Sequence, residues 1–315
     1  MSLKETPRFK PLTGLYEPSA IQQLADGRFL VVEDEKKYPL SLVSITADGR
    51  VSCAPLLPPQ AKTDEAAWKL DDLEGLALDR AGYIYAITSH SRDASGDEKK
   101  SRDKLVRFRV EAERMAAPRM VRGLKPALAA AHPVLAAAAE VAAVKTNGGL
   151  NIEALEISPD QRQLLIGLRS PLLDGRAIIA RVENLAALFE DGVLPHVSSS
   201  LITLELGGSG IRGMAYLPAL GGYLIISGPV ARQQVQFQLW FWIDAPGTAA
   251  RRVSVAGLPG YEHAEGISLA VIEGRECIVI VSDDGDREVG RYANFLLLDP
   301  QQLMIAVQQP SSAQP

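Results

Sequence analysis

The chain is short of cysteine, of aromatic side chains, of basic excess and of long apolar runs, and each shortage removes a class of protein. Only two cysteines, Cys53 and Cys277, stand among 315 residues, with no CxxC pair and no histidine at zinc spacing. A disulfide framework is thereby excluded and a structural zinc site is not expected; both thiols should be free and buried. Lysine and arginine total 33 against 38 acidic residues, a formal charge of −5. No arginine- or lysine-rich face is readable, so nucleic acid is not an expected partner. The most apolar helical stretch, Ala127 to Val144, is interrupted by His132, Pro133 and Glu140, and no membrane span is expected. The N-terminal MSLKETPRFK lacks the apolar core of a signal peptide. The chain as it stands is expected in the cytoplasm, or in the periplasm or outside the cell if a native signal was removed.

What is present is repetition. Five segments of about 55 residues follow one plan: a short apolar strand, a turn, a second strand rich in β-branched residues, a polar loop and a third strand. The first strands are SAIQQLA from Ser19, LEGLALD from Leu73, IEALEIS from Ile152, IRGMAYL from Ile211 and AEGISLA from Ala264. Fourth strands follow in four segments, near Arg50, Pro118, Ser199 and Arg251. The fifth lacks one. PRFKPLTGLYEPSA from Pro7 aligns with RRVSVAGLPGYEHAEG from Arg251, so the N-terminus is expected to supply the missing strand and close the ring. The fold class is therefore all-β, a five-bladed β-propeller in one domain spanning 1–315. A sixth blade is the alternative, because the residues between Glu111 and Gly149 lie outside the repeats. That stretch is alanine-rich with two prolines, which predicts a helical insertion over 116–146 between blades two and three.

In a propeller the innermost strand of each blade opens at the mouth of the central channel, so equivalent residues converge there. The openings carry Asp72 and Glu74, Asn151 and Glu153, Arg212, and His263 and Glu265; paired members stand two apart, on one side of a regular strand. Two carboxylates about 6 Å apart repel by about 3 kcal/mol at an effective dielectric of 20. A bound cation, Arg212 or a shared proton would offset that. Calcium suits a set of oxygen ligands, and Glu74, Glu153 and Glu265 with Asp72 or Asn151 form the candidate set. The competing reading has each glutamate bonded to backbone in its own blade. His90, between two serines, has no assignable acid and no nucleophile elbow. Asp283-Asp284-Gly285-Asp286 lacks the spacing of a calcium loop. Gly207-Gly208-Ser209-Gly210 precedes no helix, and reads as a flexible lead into its strand.

Taken together, NIEAL, IGLRSP and GIRGMA, with LEGLALD, ITSHS and VSDDGD, resemble an uncharacterised bacterial propeller family known as a domain of unknown function. The Glu-Gly openings are also distantly similar to phytase-like esterases and calcium-dependent lactonases, in which carboxylates at the mouth hold a metal. That second likeness implies a metal-dependent hydrolase of an ester, lactone or phosphoester. In it Arg212 or Arg169 would bind the anionic part of the substrate, and His90 or His263 would transfer protons. Arg212 stands where a further ligand would be needed, which departs from such a cage. The alternative is a non-catalytic module that binds a small anionic molecule or a peptide at the same mouth.

Overall fold

The computed structural model describes residues 6–33, 39–59, 69–231, 235–261 and 263–307. Among them the chain forms five antiparallel sheets. After β1 (Lys10–Pro11), blade one holds β2 (Pro18–Gln23), β3 (Phe29–Glu33), β4 (Leu40–Ile45) and β5 (Val51–Pro55). Blade two holds β6 (Leu73–Leu78), β7 (Ile84–Thr88), β8 (Leu105–Glu111) and β9 (Arg114–Val121). Helices α1 (Leu124–Ala131), α2 (Pro133–Ala139) and α3 (Val144–Asn147) follow. Blade three holds β10 (Asn151–Ile157), β11 (Leu164–Ser170) and β12 (Ala177–Val182), then α4 (Leu185–Glu190) and β13 (Ile202–Leu204). Blade four holds β14 (Gly210–Leu217), β15 (Gly222–Gly228), β16 (Gln238–Trp242) and β17 (Arg251–Val255). Blade five holds β18 (Ala264–Ile272), β19 (Arg275–Ser282) and β20 (Asn294–Leu298). The innermost strands touch in the cyclic order β2, β6, β10, β14, β18 and back to β2. This is the expected five-bladed propeller, and the six-bladed alternative falls because the residues outside the repeats are helical.

Closure is where the repeat placed it. Lys10 pairs with Phe295 and Pro11 with Asn294, so β1 is the outer strand of blade five. Leu12 and Leu15 follow it into the core and are fully buried, and the Leu12 N–H donates to the Ala293 carbonyl at 2.7 Å. The C-terminal β21 (Leu303–Ile305) pairs with β17, giving blade four a fifth strand that the repeat does not announce.

The core is five-fold as well. Five separate apolar clusters each lie between two adjacent blades. Tyr85 and Ile87 of blade two meet Leu155 and Ile166 of blade three, and Phe29 and Val31 of blade one meet Val279 and Val281 of blade five. Strands buried on both faces read as continuous apolar runs, which is why FLVVE, IYAIT and LLIGL lack alternation. Each fully buried Leu, Ile, Val or Phe contributes roughly 1.5–3 kcal/mol.

Two expectations need correction. Ala116 to Val121 belong to β9 rather than to the helical insertion, because the edge of β8 takes them in register, Leu105 against Val121 and Arg109 against Ala116. Pairing of open backbone groups there outweighs the helix propensity of alanine. The thiols are not both buried: Cys53 is exposed on an outer strand and Cys277 is partly buried.

The helices dock beside blades two and three. Leu124, Leu128 and Leu135 join the same apolar cluster as Leu150 and Ile152. His132 is buried, with Nε2 2.8 Å from the Ser198 carbonyl oxygen. Arg92, in the loop between β7 and β8, donates to the Ala139 carbonyl at 3.1 Å, and Lys125 reaches Glu98 of the same loop at 3.0 Å. No helix among the described residues is long and apolar enough to cross a membrane.

Candidate functional site

The five innermost strands share an irregularity that the sequence does not display. In each, two residues face one on the next strand: Pro18 and Ala20 span a register shift against Glu33 and Val32, as do Leu73/Gly75, Ile152/Ala154, Ile211/Gly213 and Ala264/Gly266 against their partners. The residue inside each bulge is Ser19, Glu74, Glu153, Arg212 or Glu265. A bulge leaves its extra residue outside the ladder and re-aims its side chain. The repeat thus delivers one side chain per blade, and three of these bulge residues carry the cluster described below.

A small residue always follows, Ala or Gly, and the reason is steric. A Cβ on Gly213 would overlap the Glu265 carbonyl oxygen of the neighbouring blade, and one on Gly75 would lie 2.9 Å from Leu155 Cβ. The Glu-Gly openings are thus a packing signature, whatever else they are. Gly210 is likewise obligatory, since its Cβ would overlap the Arg169 carbonyl. Lack of space, not flexibility, explains it.

Glu153 is the centre of the cluster. It is 4% exposed, and both carboxylate oxygens are engaged. Oε1 accepts from Arg169 Nη1 at 3.0 Å and from Asn151 Nδ2 at 2.9 Å; Oε2 accepts from Arg212 Nη1 at 2.8 Å. The same Arg212 Nη1 donates to Glu265 Oε1 at 2.7 Å. Both guanidiniums are steadied by one carbonyl, that of Pro229, which accepts from Arg169 Nε at 3.1 Å and Arg212 Nη2 at 3.3 Å. The Arg212 guanidinium carbon lies 5.3 Å from the centre of the Phe237 ring, which in turn stands 5.8 Å from that of His263.

The electrostatics separate the carboxyls. Burial would raise Glu153, but Arg212 and Arg169 outweigh it and hold its pKa below the ordinary value. Glu265 goes the other way: burial pushes it up to about 8, against the pull of Arg212 and with help from Glu153 and Asp283. Asp283 is also raised by burial, with His263 and Arg212 opposing. Glu74 adds to the field that Glu153 and Glu265 exert on Arg212.

Two buried polar atoms in this cluster, Asn151 Oδ1 and Arg212 Nε, make no hydrogen bond. The Asn151 amide is not free to turn over, because that would set Oδ1 against Glu153 Oε1. Among the described residues six other buried side-chain atoms also lack a partner, including Nε of Arg102, Arg107 and Arg181; these two stand out because both residues bond to Glu153.

Other sequence candidates are placed elsewhere. Asp72 is held within its own blade. Its backbone is left-handed, φ 60°, and its Oδ2 is bonded by Ser89 Oγ, by Ser91 Oγ at 3.1 Å and by Arg102 Nη1 at 3.0 Å. Asn151 and Glu153, two apart across the same kind of bulge, do bond to each other at 2.9 Å; Asp72 differs from Asn151 in its positive φ. His90 is 1% exposed between the Thr88 carbonyl, 2.9 Å from Nδ1, and Asp103 Oδ1, 3.1 Å from Nε2. Burial lowers its pKa, with Asp103 opposing. Closed in by these partners, it is a poor proton shuttle. His263 is exposed, with φ 58°, yet stands beside the cluster: its carbonyl accepts from the Asp283 N–H at 2.7 Å and its ring faces Phe237.

Calcium does not fit. Arg212 Nη1 stands between Glu153 and Glu265, where a cation bridging those carboxylates would have to be. Among the described residues no group of three or more His, Cys, Asp or Glu side chains is arranged to hold a metal ion. Residues missed by sequence reasoning are Pro229 and Phe237, while Asp283 enters the sequence reading as part of an acidic loop without calcium-loop spacing. Asp283 follows its second strand directly, a usable signal; Pro229 acts through its carbonyl and offers none.

No curated protein matches the chain. Solved structures similar to it include a putative oxidoreductase (glucose dehydrogenase) from Thermus thermophilus, 18% identical, covering 93% of this chain and 100% of that one with a TM-score of 0.47. The PQQ-bound aldose sugar dehydrogenase of Streptomyces coelicolor is 16% identical, covers 93% and 98%, and has a TM-score of 0.43. The Cps50 (Swd1) β-propeller domain from Myceliophthora thermophila is 12% identical, covers 85% and 65%, and has a TM-score of 0.35. The NIEAL, IGLRSP and GIRGMA motifs all lie inside residues 128–294, which match the family model for a protein of unknown function (DUF3616), and with more than half of its 315 residues matched the chain belongs to that family.

Proposed function

We propose that this propeller binds a small polar molecule at its channel mouth without the help of a metal ion. The observation that carries the reading is the pair of buried, unpartnered atoms Asn151 Oδ1 and Arg212 Nε, set beside charged groups that are otherwise well bonded. Burying a polar atom without a partner costs about 1–3 kcal/mol. A ligand offering both a donor and an acceptor would relieve two such penalties at once. The bridging position of Arg212 Nη1 supports the metal-free form of this reading over a metal-dependent hydrolase.

A second reading, acid–base hydrolysis of an ester or lactone, is favoured by one observation: Glu153 and Glu265 are shifted in opposite directions within one cluster. Carboxyls pushed apart in this way mark the acid and the base in known enzymes. Against it, Glu153 already accepts three hydrogen bonds, so it is poorly placed to act as a base.

Thermal unfolding against a panel of small polar molecules, with and without EDTA, tests the proposal. Stabilising molecules should keep their effect under chelation, and Asn151→Leu should lose it. Stabilisation by calcium alone, abolished by EDTA, would return the metal reading. Turnover of ester or lactone substrates that disappears in Glu265→Gln would favour the second.

A further inference from the structure

We propose that Arg92 is a positioning residue for the mouth, holding Asn151 in place through the helical insertion; the inference rests on the binding reading above. Gly148, Gly149 and Leu150 alone separate α3 from Asn151, the first residue of β10. Both neighbours of Asn151 are fixed by atoms outside blade three. The Leu150 N–H donates to the Ala138 carbonyl of α2 at 3.0 Å, and the Ile152 N–H to the Ser89 carbonyl of blade two at 2.9 Å. Gly149 has no room to yield, since a Cβ there would lie 3.0 Å from Val144 Cγ2 and 3.1 Å from the Val141 carbonyl oxygen. Asn151 therefore stands between two struts, one from the insertion and one from blade two.

Arg92 ties the supports of the two struts together. It stands in the loop that begins at Ser89, and its Nε donates at 3.1 Å to the Ala139 carbonyl, next to the acceptor of the Leu150 strut. Nη1 donates to the Gly96 carbonyl of its own loop at 3.3 Å, and Nη2 lies 3.5 Å from Glu140 and 3.5 Å from Glu98. Ala139 ends α2, and the last carbonyls of a helix have no partner within it, so they need a donor from outside. A guanidinium fork can serve the helix end and its own loop at once. Packing agrees with the bonding: a Cβ on Gly96 would lie 2.9 Å from Ala142 Cβ. Lys125 of α1 adds a second tie to the loop through Glu98. The competing role for Arg92 is plain stabilisation, as Arg107 of blade two gives by pairing with Glu190. The two roles differ in where the loss of the side chain is felt.

Amide exchange and side-chain amide signals, read by NMR on the full chain without any ligand, separate them. The Asn151 Nδ2 signals are identified by their loss in Asn151→Leu. Arg92→Met should raise exchange at Leu150 about tenfold, as loss of a charge-assisted bond does locally. It should also shift the Asn151 Nδ2 signals, while Ile278 to Val281 of blade five exchange as in the parent. Arg92→Lys should lie nearer the parent, because an ammonium still offers a donor to the Ala139 carbonyl. Leu150 and Asn151 signals that do not move overturn the proposal. So does exchange that rises equally in blade five, which marks a general stabiliser. Should Arg92→Met not fold, Glu98→Gln at its exposed position is read by the same criteria. Failure here leaves the binding reading standing; silence across the polar panel removes that reading, and with it this role of Arg92, whatever the exchange shows.

Discussion

Arg212 of blade four donates through Nη1 to Glu265 of blade five at 2.7 Å, and the same nitrogen reaches Glu153 of blade three at 2.8 Å. One side chain therefore ties three blades together near the axis, and Arg169 extends the tie within blade three.

Removing that tie should be strongly destabilising. Arg212→Met leaves Glu153 with one guanidinium and Glu265 with none, and breaking a buried ion pair from one side costs about 3–5 kcal/mol. Chemical denaturation should show a loss of that order. The double variant Arg212→Met with Glu153→Met should recover part of it, because Glu153 is then no longer a buried charge short of partners. A loss below about 1 kcal/mol would mean that the cluster is better solvated than its burial indicates.

Glu265 gives stability a pH dependence of known sign. Its folded pKa of about 8 lies above the ordinary 4.5, so the folded protein holds this proton more tightly than the unfolded chain. The associated stability is complete below about pH 4.5 and is lost as pH rises through 8. Unfolding free energies at pH 5.5 and 8.5 should therefore differ less in Glu265→Gln than in the parent, by on the order of 2 kcal/mol. Glu156, pushed up to about 7 by burial, acts in the same direction and should leave a residual slope in the variant.

The small residue after each bulge can be tested at Gly213. Ala occupies the equivalent positions 20 and 154, yet Gly213→Ala should destabilise by more than about 2 kcal/mol, since the added carbon would overlap the Glu265 carbonyl. A neutral result in a thermal melt would show that blades four and five separate more easily than their packing implies.

Ring closure rests on Leu12, which is fully buried beside Phe295. Leu12→Ala should cost about 2–5 kcal/mol. Amide exchange should then rise first in β1 and β20 if the closing strand opens locally; uniform acceleration would indicate that the ring unfolds only as a whole.

Much of the fold was legible because a propeller writes its plan five times. Turn residues between short apolar strands recur at a fixed interval, and the alignment of the N-terminal segment with the Arg251 strand located closure at the blade that contains Phe295. Local chemistry also announced the helices, since alanine with two prolines offers little to a sheet. Glu153, Arg212 and Glu265 were legible as a converging set because equivalent repeat positions must face one axis.

What the sequence could not reveal depends on atoms brought together from distant positions. The bulges are register shifts between strands, so no single strand displays them. Only the folded ring sets Arg212 between Glu153 and Glu265, turning an apparent metal-ligand set into an arginine-centred cluster. The Pro229 carbonyl, Asp283 and the orphan Asn151 Oδ1 acquire their roles through three-dimensional proximity alone. Repetition in the chain determines where side chains point; the charge each meets there is decided by its neighbours in space, because electrostatic energy follows distance and burial rather than position in the chain.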